Sequence, residues 1–520
     1  MSTPGTPADA SFEVREERVA PRHLFAFCSM SIAMFMVLLD VQVVSASLAQ
    51  IRASLSADAD EIPWVQTSYL IAKVISVPLS GFLLRTFSTR YTFVAAAAGF
   101  TLMSVMCATA TTINEMILWR ALQGFVGGPM VPAVFATAFT LFPPSKNHIV
   151  GPAIALVATL GLTAGPAIGG YLTELYSWHW IFLVNVVPGL FVAISGWLLI
   201  DFDRPNIKLL EDFDWPGLIG MALFLGALQF VLQEGPRNDW FEAVEIIEGV
   251  AISLIGACLF FWRAFTAANP IVDLSAFRDR NFWTGASCGF VIGIGLHGLT
   301  YLYPIYLAMV RDFSPLAIGL TMVVTGASQL CMAPIASRLV KVFDLRLMLG
   351  VALSLFALGT WLASHVTNDW GFYELLLPQI LRGCSIMLAM SAVNIIALGS
   401  LPAERIKNAS ALYTLLRNLG GAVGLALINT GLNKRLDLHL MRLNESVTWG
   451  KIQVEEALAR FADAFSTLGP HAPRAALREL ALLLRQEALV LAFGDVFLAL
   501  SLLFLSMLAL LLLMRRTRSA

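Results

Sequence analysis

Apolar residues run along this chain in long blocks, separated by short polar connections, rather than alternating with polar ones. A helix needs about 20 apolar residues to cross about 30 Å of hydrocarbon. About fourteen blocks of that length stand out, at roughly 23–49, 63–84, 91–111, 115–141, 149–173, 179–200, 214–234, 246–265, 282–310, 315–337, 345–365, 374–401, 409–431 and 488–514. One connection is long, 432–487, and carries leucines at helical spacing between Arg474 and Leu491. It predicts a small helical cap on one side of the membrane. The pattern as a whole predicts an all-α integral membrane protein.

Within this pattern the chain repeats itself. The run Arg120-Ala121-Leu122-Gln123-Gly124 and the run Gln379-Ile380-Leu381-Arg382-Gly383 sit at the same depth of two blocks, 259 positions apart. At that offset Pro143 matches Pro402, Gly161 matches Gly420 and Gly165 matches Gly424. Internal repeats are a mark of transporters in which two similar bundles rock around a central site. The repeat equates the fourth span with the twelfth and the fifth with the thirteenth. An offset of eight spans implies two six-helix bundles with two helices inserted between them. The expected organisation is a tail at 1–22, a bundle at 23–203, an inserted pair with linkers at 204–281, a second bundle at 282–514 and a tail at 515–520.

Composition sharpens this. The 520 residues are 58% hydrophobic and 13% charged, about half the charge of a soluble protein. The net charge of −1 gives no general attraction to nucleic acid. No apolar block precedes Leu24, so the first span is expected to direct insertion. Lys and Arg fall unevenly. The tails and loops on the side of the termini hold 19, whereas the short loops opposite hold Arg52, Arg237 and Arg311. That bias predicts both termini in the cytoplasm and 432–487 outside it. The six cysteines lie inside apolar blocks and read as small core residues.

Charged residues inside the membrane are costly and usually functional. Asp40 is deep in the first span, and Asp495 reads as the other acidic residue within a span, near the end of the last. Four cations lie within spans: Lys73, Arg120, Arg382 and Arg417. Arg120 and Gln123 share a helix face at i, i+3, and Gln379 and Arg382 repeat that face with the order exchanged. The expectation is that two guanidinium-amide pairs look into one cavity, with Arg120 paired to Asp40. Tyr69 is one turn before Lys73, and His297 is the histidine well inside a span. Both join Gln42, Lys73 and Arg417 as candidate cavity residues. Gly161, Gly165, Pro166, Gly169 and Gly170 form a small-residue face that lets helices approach and bend. No Gly-x-x-x-x-Gly-Lys phosphate loop, no metal-spaced His/Cys cluster and no Ser/His/Asp set within one loop is present. The expectation is therefore no cofactor, no metal and no catalysis, with an ion gradient as energy source.

Several of these strings resemble one family, the fourteen-span drug:proton antiporters of the major facilitator superfamily, of the EmrB/QacA type. Leu39 to Val44 resembles its first-helix motif, and Gly81 to Arg90 the loop motif between spans two and three. Ile117 to Gly124 resembles the fourth-span motif, and Gly161 to Gly170 the fifth-span motif of exporters. Ser177 to Asn185, Asp214 to Gly217, Leu377 to Gln379, Asn408 to Ser410 and Arg417 to Gly421 are similar to further signatures. The resemblance implies proton-driven efflux, with Asp40 and Arg120 coupling protons. It also implies gating through Gly81, Arg85 and Arg90. Three positions depart from the pattern. Arg85 stands where an acidic residue is usual, Gln42 and Ser45 replace Thr and Asn, and Lys73 occupies a position more often polar or acidic.

The function this implies is proton-coupled export of amphipathic compounds by alternating access, from a bacterial inner membrane. The same fold importing a solute, and a non-transporting sensor or scaffold, are the alternatives. Partners implied by the family are a periplasmic adaptor of the membrane-fusion type and an outer-membrane channel, with 432–487 as the expected contact. The unmatched cations predict a preference for neutral or anionic amphiphiles.

Overall fold

The structure is a computed structural model that describes residues 21–58, 60–399, 401–447, 451–512 and 514. The tails read at 1–22 and 515–520 lie outside the described residues, apart from Pro21 and Arg22. All regular structure among the described residues is helical. Among the described residues, fourteen helices are long and apolar enough to cross a membrane. In chain order these spans 1 to 14 are Pro21–Ser45, Trp64–Thr86, Ser88–Ala108, Ile113–Leu141, Asn147–Leu175, Trp180–Leu199, Trp215–Glu234, Val244–Thr266, Arg280–Met309, Leu316–Val342, Leu345–Ala363, Leu376–Leu398, Glu404–Ser446 and Gly469–Leu511. An even count brings Pro21 and Leu511 to one end of the bundle, here the terminal end. The opposite end is the far end.

Local chemistry sets several starts. Thr112, Asp214, Asp279, Ser314 and Asp344 accept backbone N–H groups of the first turns of spans 4, 7, 9, 10 and 11. Each such cap is worth about 1 kcal/mol. Span 4 is broken by Gly128 and Pro129 into Ile113–Gly127 and Met130–Leu141, because Pro129 has no N–H to continue the ladder.

The repeat seen in the sequence is also a repeat of packing. Span 1 packs on span 5, span 2 on span 4, and span 3 on spans 4 and 6. Eight spans later, span 9 packs on span 13, span 10 on span 12, and span 11 on spans 12 and 14. The two halves meet where span 5 packs on span 10 and span 2 on span 13, a pair of contacts that itself obeys the offset of eight. Spans 7 and 8 pack on each other, and span 7 leans on spans 2 and 13.

The long segment 432–487 differs from a separate cap. Span 13 belongs to one 44-residue helix, Ala403–Ser446, about 66 Å long at 1.5 Å per residue. Span 14 lies in the 35-residue helix Ala472–Ser506. No Gly or Pro occurs between 432 and 446, so nothing stops the first helix at the membrane edge. A further helix, Ile452–Ala464, packs on the extension of span 14. Asp495 is not simply solvated there. It accepts from Arg435 Nε at 3.2 Å and lies 2.7 Å from His439 Nε2, which fastens the two extended helices together.

Candidate functional site

Span 4 presents Arg120 and Gln123 to the interior of the first half because they stand one turn apart on the face opposite lipid. Gly124 beside them allows span 2 to come close, since a Cβ there would stand 2.2 Å from the Tyr69 carbonyl oxygen. The Asp40 carboxylate of span 1 meets this face. Arg120 Nη1 donates to Asp40 Oδ2 at 2.6 Å and to Gln123 Oε1 at 2.6 Å, and its Nε donates to the Val65 carbonyl at 3.2 Å. The other Asp40 oxygen accepts from Asn185 Nδ2 at 3.1 Å and, at 3.4 Å, from Gln123 Nε2. Gln123 Nε2 also donates to Ser104 Oγ at 2.8 Å. The pair is sealed from solvent, with both side chains at 0% exposure. Burying an ion pair is costly unless its lone pairs are met. Here spans 2, 3, 4 and 6 all supply partners to the pair or to Gln123.

Beside this network lies a cavity of about 470 Å³ between the two halves. It runs from Lys73 and His297 at mid-depth to Ile62, Pro63 and Arg237 in the far-end loops. Spans 1, 2, 5, 7, 9 and 13 all contribute to its wall. Gln42, Lys73, Pro166 and His297, singled out in the sequence, line it. Tyr69 links the cavity to the sealed network, with its ring centroid 4.2 Å from the Arg120 guanidinium and 5.4 Å from the Lys73 ammonium.

The expectation that two guanidinium-amide pairs face one cavity is corrected by this geometry. Tyr69, Gln123, Gln379, Arg382 and Arg417 are buried behind the cavity wall. Arg382 donates to Thr300 Oγ1 at 2.6 Å, and it is Thr300 that lines the cavity. Arg417 lies over the rings of Phe135 and Tyr413, 5.3 and 5.9 Å from their centroids. The i, i+3 face of span 12 turns toward spans 9 and 10 instead, because Gly383 lets span 10 approach to 2.6 Å from where a Cβ would be.

Sequence reading missed a carboxylate. Glu234 closes span 7, is buried and lines the cavity, and accepts from Thr67 Oγ1 at 3.0 Å. Asp495 is therefore not the one other acidic group in a span. Gln229 and Gln233 from the same helix, and the Tyr301–Asn429 hydrogen bond at 2.6 Å, complete the polar wall. Ser104 was also missed, and Asn185 was noted only as the end of the Ser177–Asn185 string, without a role. Neutral polar residues in apolar helices are common.

The small-residue face of span 5 packs on span 1. A Cβ on Gly165 would stand 2.2 Å from the Gln42 Cβ, and one on Gly161 3.0 Å from that of Leu38. Gly169 and Gly170 are buried farther along. The opposite side of the same helix meets span 10, where a Cβ on Gly319 would lie 2.6 Å from the Ala167 Cα. Span 5 is thus held by both halves.

At the terminal end the halves are closed against each other. A Cβ on Gly81 would stand 3.0 Å from Asn408 Oδ1. Asn408 Nδ2 donates to the Asp273 carbonyl, and Ser410 Oγ to that of Pro132 at 3.2 Å. Arg85 Nε donates to the Gly81 carbonyl at 3.3 Å, and Arg90 lies over the Trp197 ring at 4.7 Å. A carboxylate at this end is Asp203, just beyond span 6. Asp203 accepts from Thr89 N and Oγ1, both at 2.8 Å, and from Lys407 Nζ of the other half. The structure is closed at the terminal end and open at the far end.

The arrangement is that of a two-bundle transporter with an internal carboxylate, and the comparisons agree. The colistin resistance protein EmrB of Acinetobacter baumannii is 37% identical over 90% of this chain and 92% of its own length. The fatty acid resistance protein FarB of Neisseria gonorrhoeae is 29% identical over 92% of this chain and 93% of its own. Among solved structures, the human organic anion transporter MFSD10 superposes with a TM-score of 0.57 at 12% identity, covering 94% of this chain and all of that one, a likeness of fold. The family model described as Major Facilitator Superfamily matches residues 30–425, and this chain belongs to that superfamily.

Proposed function

We propose that this multi-pass membrane transporter exports amphipathic small molecules in exchange for protons. One observation carries the reading: a sealed Asp40–Arg120 pair with partners on spans 2, 4 and 6, set beside a cavity that is open at one end only. Protonation removes the negative charge that holds Arg120, Gln123 and Asn185 in place, so the proton alters contacts of spans 1, 4 and 6 together. A proton and a substrate that favour opposite states of a two-state rocker are thereby exchanged. Gln42, Lys73 and His297 are the substrate-contacting side chains of this reading, with Gly161, Gly165, Pro166 and the Gly81–Arg90 loop in gating. Relatives named for resistance to fatty acids, which are amphiphiles, and to colistin support export over import.

The protein sits in the bacterial inner membrane with both termini in the cytoplasm, on the 19-to-3 bias of Lys and Arg between the tails and loops of the terminal side and the short loops of the other, the long segment 432–487 with its eight being exempt from the rule. In that orientation the cavity faces outward, and the extended helices of spans 13 and 14 project into the periplasm. Those extensions, with Ile452–Ala464, are the docking site for a membrane-fusion adaptor leading to an outer-membrane channel. The organisation follows the repeat: bundles at 23–203 and 282–514, with the pair at 204–281 between them.

The test is transport in proteoliposomes driven by a pH step. The wild type should expel a lipophilic dye and acidify or alkalinise its lumen in step with it. Asp40→Asn keeps the side-chain shape and cannot cycle a proton, so it should fold, insert and lose all uphill transport. Uphill transport retained by Asp40→Asn would sink the coupling role.

A further inference from the structure

The two halves bury a guanidinium at matching places, but only one half supplies a counter-charge. In the first half Arg120 meets Asp40. Gly165 packs on Gln42 and its counterpart Gly424 on Ile294, which puts Ile292 at the place of Asp40, and Ile292 cannot carry charge. Arg382 is buried, and no carboxylate among the described residues lies within 4.0 Å of it. Its Nη2 donates to Thr300 Oγ1, and its Cζ stands 5.5 Å from the centroid of the Tyr303 ring.

The atoms around it share one character. Arg382 Nε and Nη1, Gln379 Nε2, Gln329 Nε2 and Oε1, and Tyr303 Oη are all buried without a hydrogen-bond partner. All but one can donate. Gln329 belongs to this cluster because Thr325, one turn before it on span 10, donates to Gln379 Oε1 at 3.0 Å, and its backbone N lies 3.4 Å from where a Gly383 Cβ would be. A buried donor left unmatched costs free energy, and a buried cation left unmatched costs more. Water can meet the donors but not the charge.

We infer that the second half holds an occluded site for a small monovalent anion of chloride size, formed by Arg382, Gln379, Gln329 and Tyr303. The anion supplies from outside the chain what Asp40 supplies from within it in the first half. A single unmatched guanidinium calls for a single negative charge, and the close approach of span 10 at Gly383, 2.6 Å from where a Cβ would be, favours a small ion. Access follows from Thr300, which lines the central cavity and holds the guanidinium on its other side. The site is independent of the export reading, since it is occupied without substrate or proton gradient.

The test uses the full-length protein in detergent or nanodiscs, with chloride or bromide replacing gluconate at fixed ionic strength. The melting temperature should rise by a few degrees and saturate with halide, as binding to the native state requires. Arg382→Gln should abolish the dependence. Misfolding of that variant would give the same loss, so Thr300→Asp is the second arm. It places a carboxylate where the hydroxyl meets Arg382, and should be as stable in gluconate as the wild type is in halide, with no further response. A dependence that never saturates, or that persists in Thr300→Asp, is a general salt effect and overturns the site in favour of a hydrated cluster. No substrate or pH step enters this assay, so loss of transport in other variants cannot mimic its failure.

Discussion

Lys407 Nζ donates to the Asp203 carboxylate at 2.5 Å and to the Leu84 carbonyl at 3.0 Å, so one ammonium from span 13 ties together the ends of spans 2 and 6. This contact crosses between the halves at the closed end and must part if that end opens. Lys407→Gln or Asp203→Asn should shift the population toward the oppositely open state. A hydrogen bond to a charged group contributes about 1.5–3 kcal/mol, so a shift of roughly tenfold or more is expected. The readout is labelling of a cysteine placed at Ser410, which is fully buried at this closed end. Labelling should rise in either single variant and fall back in the exchanged pair Asp203→Lys with Lys407→Asp. Unchanged labelling in the single variants would remove the contact from the gate.

Gly165 is confined by Gln42 rather than by lipid. A side chain there meets the Cβ and Cα of Gln42, at 2.2 and 3.2 Å, so rotation of Gln42 about its own bonds relieves nothing. Gly165→Val should cost about 1–3 kcal/mol of overpacking and depress transport far more than substrate affinity. Gln42→Gly should restore part of the transport in the double variant, whereas Gln42→Ala, which keeps the Cβ, should not. Parallel loss of binding and transport in Gly165→Val would make this a binding position instead.

Asn185 is the donor to Asp40 contributed by span 6, at 3.1 Å. Asn185→Ala removes one charge-assisted hydrogen bond, about 1.5–3 kcal/mol, but leaves Arg120 and Gln123 in place. Uphill transport should therefore be weakened without being lost, in contrast to Asp40→Asn. The check is the substrate gradient sustained at a fixed pH step. Loss as complete as that of Asp40→Asn would mean that Asn185 acts on the proton directly.

These residues show what a sequence discloses and what it withholds. Asp40, Arg120 and Lys73 were legible because charge in an apolar run has few inexpensive explanations. The span count, the repeat and the offset of eight were legible for a similar reason, since hydropathy and glycine spacing are local. The cavity wall was legible only in part, through Gln42, Lys73, Pro166 and His297. Gln379 and Arg382 repeat the pattern of Gln123 and Arg120, yet the rotation of span 12 against spans 9 and 10 turns them away from the cavity. That rotation is set by contacts such as Gly383 with Thr325, which no single helix encodes. Glu234 was hidden by its position at a span end, where a carboxylate usually meets water; here Thr67 and the wall of the cavity enclose it. Lys407 and Asp203 were legible as charges near a membrane edge but not as partners, since 204 positions separate them.

Charge preference follows from where the cavity's ionisable groups sit. Lys73 and His297 lie at its depth, and no ion-pair partner stands within 4.0 Å of Lys73 among the described residues. Glu234 is at the mouth, held by Thr67 and 3.9 Å from Arg237. A permanent organic cation can meet Glu234 but must then approach Lys73, while a lipophilic weak acid meets Lys73 with its tail along Leu38, Val74 and Leu162. An uncompensated like charge discriminates against the wrong partner as strongly as an attractive contact favours the right one. The weak acid should therefore outcompete the quaternary ammonium in the wild type. Lys73→Gln should cost the weak acid about tenfold or more in affinity and leave the cation as it was or better, while Glu234→Gln should do the reverse. Competition binding of the two probes to the three proteins measures this directly. A wild type that prefers the cation, with weak-acid affinity unaltered in Lys73→Gln, would show that Lys73 is neutralised by backbone carbonyls and does not act on the substrate's charge.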